Sequence, residues 1–233
     1  MDEAEFDQFA DEYHAMHTKG IAASGEGPEY FSEYKIKDIA RAVRRPDGTT
    51  AAGLKLLDFG AGTGNSVPFV TKHFPTASLT CLDLSQRSLD LAEKRFPGQA
   101  AYVRFGGDSI PFDDDHFDIA FAMCVFHHID HSQHVQMLGE LRRVIRPGGH
   151  LFVFEHNPLN PLTVRVVNQC PFDANARLIG ATDMKKRLLD AGFDNAKASY
   201  RVFFPRALRP MRATEPWLTW LPLGGQYFAH STK

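Results

Sequence analysis

The chain has 233 residues, enough for one α/β domain with additions and a sizeable core, and its 43% hydrophobic and 23% charged content is typical of a soluble globular protein. The net charge of −2 and the acidic N-terminus without an apolar run do not indicate nucleic-acid binding, attraction to an anionic membrane or a signal peptide, and no stretch reaches the ~20 apolar residues that cross a bilayer. Three widely spaced cysteines without a Cys-x-x-Cys pair predict a reduced, cytoplasmic protein without a structural zinc site.

Two helices are predicted ahead of the first strand. The first covers residues 6–17, and the second begins at Pro28 and ends at the turn residues 44–50. Aromatic residues, among them Tyr13 and Tyr34, lie on the apolar faces of these helices. They are interpreted either as part of a binding site or as packing within an accessory helix pair.

A short apolar run and a glycine turn follow at residues 54–64. The run 54–59 predicts a buried strand of a parallel sheet, and Gly60, Gly62 and Gly64 come directly after it. Apolar residues then recur at helical spacing from Val67. A glycine turn between a strand and a helix lets a ligand approach the backbone and offers it free N–H groups, although tight structural turns use glycine too.

The next predicted strand, 78–83, ends in Asp83, whose carboxylate could accept hydrogen bonds from ribose hydroxyls. The dinucleotide-binding fingerprint Gly-x-Gly-x-x-Gly does not fit, because Asn65 occupies the position of its third glycine. The pattern therefore favours a nucleoside-like ligand over a dinucleotide.

Strands and helices alternate through the rest of the chain, which predicts a parallel sheet with helices on both faces. The further strands are predicted at 101–105, 117–124, 150–154, 196–203 and 226–231. Helices are predicted after Ser85, over 131–146 and after Thr182 as N-cap. The inward faces of the last two are predicted from Val135, Leu138, Leu141 and Ile145, and from Leu188, Leu189 and Ala191.

Four stretches in order and spacing resemble the motifs of class I S-adenosylmethionine-dependent methyltransferases. They are Leu57–Gly64, Leu82–Ser85, Gly107–Phe112 and Val144–Phe154, and the similarity extends from about Phe6 to about Phe193. The resemblance implies a Rossmann-like, doubly wound, seven-stranded and mostly parallel sheet, with an antiparallel C-terminal strand near residues 227–229 and N-terminal accessory helices that cover the cofactor. It also implies S-adenosylmethionine as the cofactor.

The resemblance assigns roles to residues at the carboxyl ends of the strands. The Gly60–Gly64 backbone would bind the amino-acid part of the cofactor, Asp83 its ribose and Leu84 its adenine. The predicted cofactor-binding residues are Tyr13, Asp58, Gly60, Ala61, Gly62, Asn65, Asp83, Leu84, Asp108, Ser109 and Cys124. In the family a tyrosine in the position of Tyr13 lies near the methionine part, and Asp108 would accept a hydrogen bond from the adenine amine; a simple turn aspartate is the alternative for Asp108.

Methyl transfer from a sulfonium is an in-line displacement that needs a base only if the acceptor must lose a proton. His127 and His128 follow the fourth strand and His156 follows the fifth. We predict His128 as the catalytic base, with His156 as the second candidate and no base at all as a further alternative. The long loop 156–181 is expected to shape the acceptor pocket.

One domain, 1–233, is predicted, with a helical lid at 1–50, a cofactor-binding core at 54–155, the acceptor-site loop 156–181 and C-terminal elements at 182–233. The predicted function is O- or N-methylation of a small organic acceptor by a monomer or homodimer, without nucleic acid or membrane as partner. The alternatives are a non-catalytic cofactor-binding module and an NAD-dependent oxidoreductase. Neither the motif of nucleic-acid amino-methyltransferases nor the acidic ligands of metal-dependent catechol methyltransferases can be identified, so no metal site is expected.

Overall fold

The computed structural model describes residues 25–233, which form seven strands and seven α-helices in those residues. The strands are β1 Lys55–Phe59, β2 Ser78–Asp83, β3 Ala101–Arg104, β4 Phe117–Met123, β5 Ile145–His156, β6 Asp194–Arg201 and β7 Gln226–Thr232. The helices are α1 Pro28–Ala42, α2 Val67–His73, α3 Gln86–Arg95, α4 His134–Val144, α5 Pro161–Asn168, α6 Ala181–Asp190 and α7 Glu215–Leu218. Short 3₁₀ turns cover Phe126–His128, Pro171–Asp173 and Arg206–Thr214.

The strands form one sheet in the order β3-β2-β1-β4-β5-β7-β6. The pairs from β3 to β5 are parallel, whereas β7 is antiparallel to both β5 and β6. The predicted Rossmann-like, doubly wound sheet with an antiparallel C-terminal strand is therefore confirmed. Because the chain leaves β1 in one direction across the sheet and crosses to β4 on its other side, a crevice opens at the carboxyl ends of these two strands.

Alternating side chains of β1 contribute to the two faces of the sheet. Leu56 packs with the core cluster that contains Ile36 and Ile39 of α1, while Leu57 and Phe59 pack with the cluster that contains the buried residues of α4 and α6. All five of these side chains are fully buried. Helix α1 is thus part of the hydrophobic core on one face of the sheet.

The two predicted helix faces are correct except for one residue in each. In α4 the buried residues are His134, Met137, Leu138, Leu141 and Val144, so Val135 is exposed. In α6 the buried residues are Ala181, Met184 and Leu188, so Leu189 is exposed. The other predicted residues, Leu138, Leu141, Ile145 and Leu188, are buried, and Ala191 packs against the core.

Two further sequence predictions need correction. Helix α6 begins after Gly180 and has no side-chain cap, so Thr182 lies inside the helix instead of capping it. The segment 156–181 is not a plain loop, because it contains α5 and the 3₁₀ turn at Pro171–Asp173. The predicted helix at 6–17, with Tyr13, lies outside the described residues.

Candidate active site

A pocket lies in the crevice at the carboxyl ends of β1, β2, β4 and β5. One end is lined by the glycine turn after β1 and by Asp83, and the other end is lined by His127, His128 and His156. Helix α1 also contributes side chains to its wall. Both predicted halves of the site therefore belong to one pocket.

Backbone hydrogen bonds hold the glycine turn in place. The N–H groups of Gly60 and Ala61 donate to the carbonyl of Leu82, at 2.8 and 3.1 Å. Gly60 has φ +74°, and a Cβ there would lie 2.5 Å from a methyl group of Val125. Only glycine allows this close approach without strain, so the turn can bring its backbone to the pocket surface.

The Asp83 carboxylate lies at the end of β2 and is oriented by two backbone donors. The N–H of Gly62 donates to Oδ2 at 2.7 Å, and the N–H of Ser85 donates to Oδ1 at 2.9 Å. A carboxylate oxygen can accept more than one hydrogen bond, which includes bonds from hydroxyl groups. Asp83 is thus fixed where it can bind a ribose.

Asp58, the residue in β1 beside Phe59, is buried beneath the glycine turn. Burial raises the pKa of its carboxyl to about 7, although the hydroxyl of Ser66 donates to it and opposes this shift. Both side chains line the pocket. The pocket therefore contains an acid whose protonation changes near neutral pH.

The remaining predicted cofactor residues divide into two groups. Leu84 and Asn65 line the pocket, and the side chain of Asn65 accepts a hydrogen bond from Arg95 at 2.9 Å. Asp108 and Ser109 are exposed and are not among the pocket-lining residues described. The hydroxyl of Ser109 donates to Glu140 at 3.1 Å, because the turn after β3 directs it toward α4.

Buried hydrogen bonds surround His127 at the other end of the pocket. Its Nδ1 donates to Oε2 of Glu155 at 2.6 Å, while the other oxygen of Glu155 accepts from the N–H of Phe126 at 2.8 Å. Its Nε2 lies 3.6 Å from Oδ1 of Asp173. Burial alone would lower the pKa of His127, but Glu155 and Asp173 outweigh it and raise the pKa to about 10.

His128 and His156 lie beside this group. Nε2 of His128 is 3.5 Å from Oδ1 of Asp173, and burial together with the neighbouring His127 lowers the pKa of His128 to about 4. The ring of His156 is 5.3 Å from that of His127, centroid to centroid. The structure thus brings both predicted catalytic histidines to one end of the pocket.

Cys124, just past β4, lies between the two ends of the site. Its φ of +61° turns the chain sharply there, and Nζ of Lys35 from α1 is 3.3 Å from its sulfur. Burial alone would raise the pKa of the Cys124 thiol, but Lys35 and His156 lower it to about 7. Lys35 itself is buried, so α1 provides a cation to the pocket.

Sequence reasoning missed Asp173 and Lys35. Asp173 belongs to the 3₁₀ turn in the segment 156–181, and its N–H donates to the carbonyl of Cys170 at 3.0 Å. The N–H of Arg177 then donates to the carbonyl of His127 at 2.8 Å, which holds the segment against the histidines. The unusual length of the segment indicated its importance, but not which residue would face the pocket.

A doubly wound sheet with a glycine turn after β1 and a fixed carboxylate at the end of β2 is typical of proteins that bind a nucleoside-containing cofactor. Residues 57–153 match the family model of the methyltransferase domain. Residues 57–153 therefore form a methyltransferase domain, and the match together with the fold supports the class I S-adenosylmethionine-dependent methyltransferase family, whose cofactor is S-adenosylmethionine.

Curated relatives match over part of the chain. The phthiotriol/phenolphthiotriol dimycocerosates methyltransferase of Mycobacterium leprae is 33% identical over 47% of this chain and 40% of its own length. The ubiquinone/menaquinone biosynthesis C-methyltransferase of Ectopseudomonas mendocina is 29% identical over 52% of this chain and 49% of its own length. Each match spans less than half of the relative.

Solved structures share the fold over nearly the whole chain. A methyltransferase from Thermotoga maritima, described as a possible histamine N-methyltransferase, has a TM-score of 0.67 and 18% identity, covering 99% of this chain and 98% of that one. A methyltransferase from Haloferax volcanii, in complex with its Trm112 activator, has a TM-score of 0.66 and 17% identity, covering 97% and 96%. Within residues 25–233, no helix combines the length and apolar character needed to span a bilayer.

Proposed function

We propose that the protein transfers a methyl group from S-adenosylmethionine to the oxygen or nitrogen atom of a small organic acceptor. The observation that carries the proposal is the single pocket, which runs from the glycine turn and Asp83 to His127, His128 and His156. A sulfonium bound at the first end would direct its methyl group toward an acceptor bound at the second. Positioning of this kind accounts for much of the rate enhancement in transfer reactions, about 7–11 kcal/mol in favourable cases.

In this proposal the cofactor lies along the β1 and β2 ends of the pocket. The backbone of Gly60, Ala61 and Gly62 binds its amino-acid part, and Asp83 binds its ribose. The side chain of Leu84 packs against the adenine, and Asp108 accepts a hydrogen bond from the adenine amine. Asp58, Asn65 and Cys124 line the space between these contacts, and Tyr13 and Ser109 complete the proposed set.

The acceptor would bind between α1, the histidines and the segment 156–181. Phe31 and Met123 give this part of the pocket apolar surface, whereas Lys35 and Asp173 give it charge. His128, or His156 in its place, would contact the reacting atom and take its proton where one must be lost. A partly apolar, partly charged lining favours a small molecule with both characters.

The cellular compartment, the partners and the oligomeric state are also part of the proposal. The three cysteines are free thiols, which agrees with a reduced, cytoplasmic protein. The net charge of −2 supports a small-molecule acceptor over nucleic acid. The proposed state of the protein is a monomer or a homodimer.

Calorimetry with S-adenosylmethionine, S-adenosylhomocysteine and NAD tests the first half of the proposal. We expect the first two to bind and NAD not to bind. Tight NAD binding without binding of the sulfonium would contradict the proposal and favour an oxidoreductase.

The second half of the proposal, methyl transfer to a small acceptor, is tested by incubating the protein and S-adenosylmethionine with pools of small hydroxyl and amine compounds. Formation of S-adenosylhomocysteine is the measured quantity. His128→Ala should reduce turnover by about 10²–10⁴-fold with cofactor affinity nearly unchanged. His131→Ala, in the connection between β4 and α4 but outside the pocket lining, is the control. Cofactor binding without turnover on any pool would favour the non-catalytic module instead.

A further inference from the structure

Three possible metal-ligand atoms converge at the acceptor end of the pocket. They are Nε2 of His127, Nε2 of His128 and Oδ1 of Asp173, and all lie within 4.8 Å of one another. The oxygen is 3.6 Å from the first nitrogen and 3.5 Å from the second. These residues come from two segments that the fold brings together, the 3₁₀ turn after β4 and the 3₁₀ turn after α5.

The two distances from Asp173 match the separation of ligand atoms around one ion. Zinc is bound by histidine nitrogen and carboxylate oxygen at about 2.0–2.2 Å, and tetrahedral geometry then separates two ligand atoms by about 3.3–3.6 Å. The two distances to Asp173, 3.6 and 3.5 Å, agree with this separation. Charge-assisted hydrogen bonds would instead bring nitrogen and oxygen to about 2.7–2.9 Å.

Glu155 orients His127 in the way that a metal-bound histidine requires. Its carboxylate accepts the Nδ1 proton at 2.6 Å, which directs Nε2 toward Asp173. Metal-bound histidines commonly donate their second ring N–H to a carboxylate in this manner. Glu155 is itself fully buried and also accepts from the N–H of Phe126, so the orientation of the ring is fixed.

Charge balance favours the same conclusion. The carboxylates of Glu155 and Asp173 lie beside His127 in a largely buried environment, and Asp173 is also 3.5 Å from Nε2 of His128. A divalent cation bound by neutral imidazoles would balance the two negative charges. Buried carboxylates without such compensation are costly.

We propose that His127, His128 and Asp173 bind a divalent transition-metal ion at the acceptor end of the pocket. Two imidazoles and one carboxylate suit zinc, cobalt or iron, whereas magnesium and calcium prefer oxygen ligands. Three protein ligands leave at least one coordination position, and all three side chains line the pocket.

This inference deepens the proposed function and partly rests on it. The open position would bind an oxygen or nitrogen atom of the acceptor and hold it beside the methyl group. His128 would then be a ligand and not a base. The site opposes the sequence-based expectation that no metal would be bound.

A titration of metal-stripped, full-length protein with Co²⁺ tests the site, because tetrahedral Co²⁺ has intense visible absorption. We expect saturation at one ion per chain, displacement by Zn²⁺ and no competition by Mg²⁺. His128→Gln and Asp173→Asn should each weaken Co²⁺ binding by about 100-fold or more, and Glu155→Gln by about 10–100-fold. The matched controls are His131→Gln and the exposed Asp114→Asn, neither of which belongs to the cluster.

No saturable Co²⁺ absorption in the wild-type protein would overturn the proposal, as would equal binding by the wild type and the two ligand variants. The wild-type titration decides the question even if a variant fails to fold, which circular dichroism would detect. Calorimetry with S-adenosylmethionine on the same samples keeps the two proposals separate. Cofactor binding without Co²⁺ binding contradicts the metal site alone, and Co²⁺ binding without cofactor binding contradicts the methyltransferase function alone.

Discussion

The two ends of the pocket are built in different ways. Most of the cofactor end comes from residues 58–85, a continuous stretch in which backbone groups position the turn and the Asp83 carboxylate. The acceptor end combines residues 124–128, 155–156 and 170–173, and its geometry depends on buried side-chain contacts between these segments. The cofactor end can therefore stay the same among related proteins while the acceptor end differs with the acceptor.

The largest effect is expected where the acceptor end is buried. Glu155→Ala would remove the acceptor for the N–H of Phe126 and leave His127 without its carboxylate partner. Breaking a buried ion pair typically costs about 3–5 kcal/mol, so we expect a loss of that size in the free energy of unfolding, measured by urea denaturation. Glu93→Ala, on the exposed face of α3, is the control.

A decrease of less than about 1 kcal/mol in the free energy of unfolding would contradict this prediction, because exposed ion pairs contribute about that much. It would mean that the acceptor end is solvated and adaptable, and the contrast with the cofactor end would then disappear.

The cofactor end has its own buried charge, with a different consequence. Because the pKa of Asp58 is raised to about 7 by burial, the folded protein binds its proton more tightly than the unfolded chain does. The stability contributed by this group is complete below the ordinary pKa of about 4 and is lost as pH rises toward 7, at about 1.4 kcal/mol per unit.

Asp58→Asn removes this titration. The free energy of unfolding of the wild type, relative to the variant, should therefore fall by roughly 2–3 kcal/mol between pH 5 and pH 8. Urea denaturation across this range without cofactor measures it, with the exposed Asp113→Asn as control. Parallel pH profiles for the wild type and Asp58→Asn would show that Asp58 does not titrate as described.

The difference between the ends also explains what the sequence could predict. The glycine turn and Asp83 are close in sequence, and their spacing has a direct physical meaning, so the turn and the ends of β1 and β2 were predicted closely. Asp173 could not be found in this way, because its position depends on how α5 and the following turn pack against His127.

One position in each of two helix faces could not be predicted from apolar character alone. Val135 directly follows the buried His134 and Leu189 directly follows the buried Leu188, so each is rotated by about 100° around its helix axis toward the exposed side. An apolar side chain at the border of a face does not indicate by its type whether it is buried. The strands were predicted more accurately than the helix faces. In a sheet that is buried on both faces, every residue of an apolar run is expected to be buried, so no choice between faces is needed.

Asp83→Ala tests the cofactor end directly. Loss of charge-assisted hydrogen bonds to the ribose should reduce S-adenosylmethionine affinity by about 1.5–3 kcal/mol, as measured by calorimetry. Asp90→Ala, exposed on α3, should leave the affinity unchanged. A change below about twofold in Asp83→Ala, far less than one charge-assisted hydrogen bond contributes, would exclude Asp83 as the ribose ligand.

The smallest expected effect concerns the helix that leads to Asp173. Asn160 caps α5 by accepting from the N–H of Thr163 at 3.1 Å, and its amide also donates to the carbonyl of Leu223 at 2.8 Å. Asn160→Ala removes both bonds and should cost about 1–2 kcal/mol of stability, whereas Asn160→Asp retains the cap and should cost less. Thermal unfolding of the two variants measures the difference. Equal losses would indicate that the bond to Leu223, and not the cap, holds this side of the acceptor end, because that bond is lost in both variants.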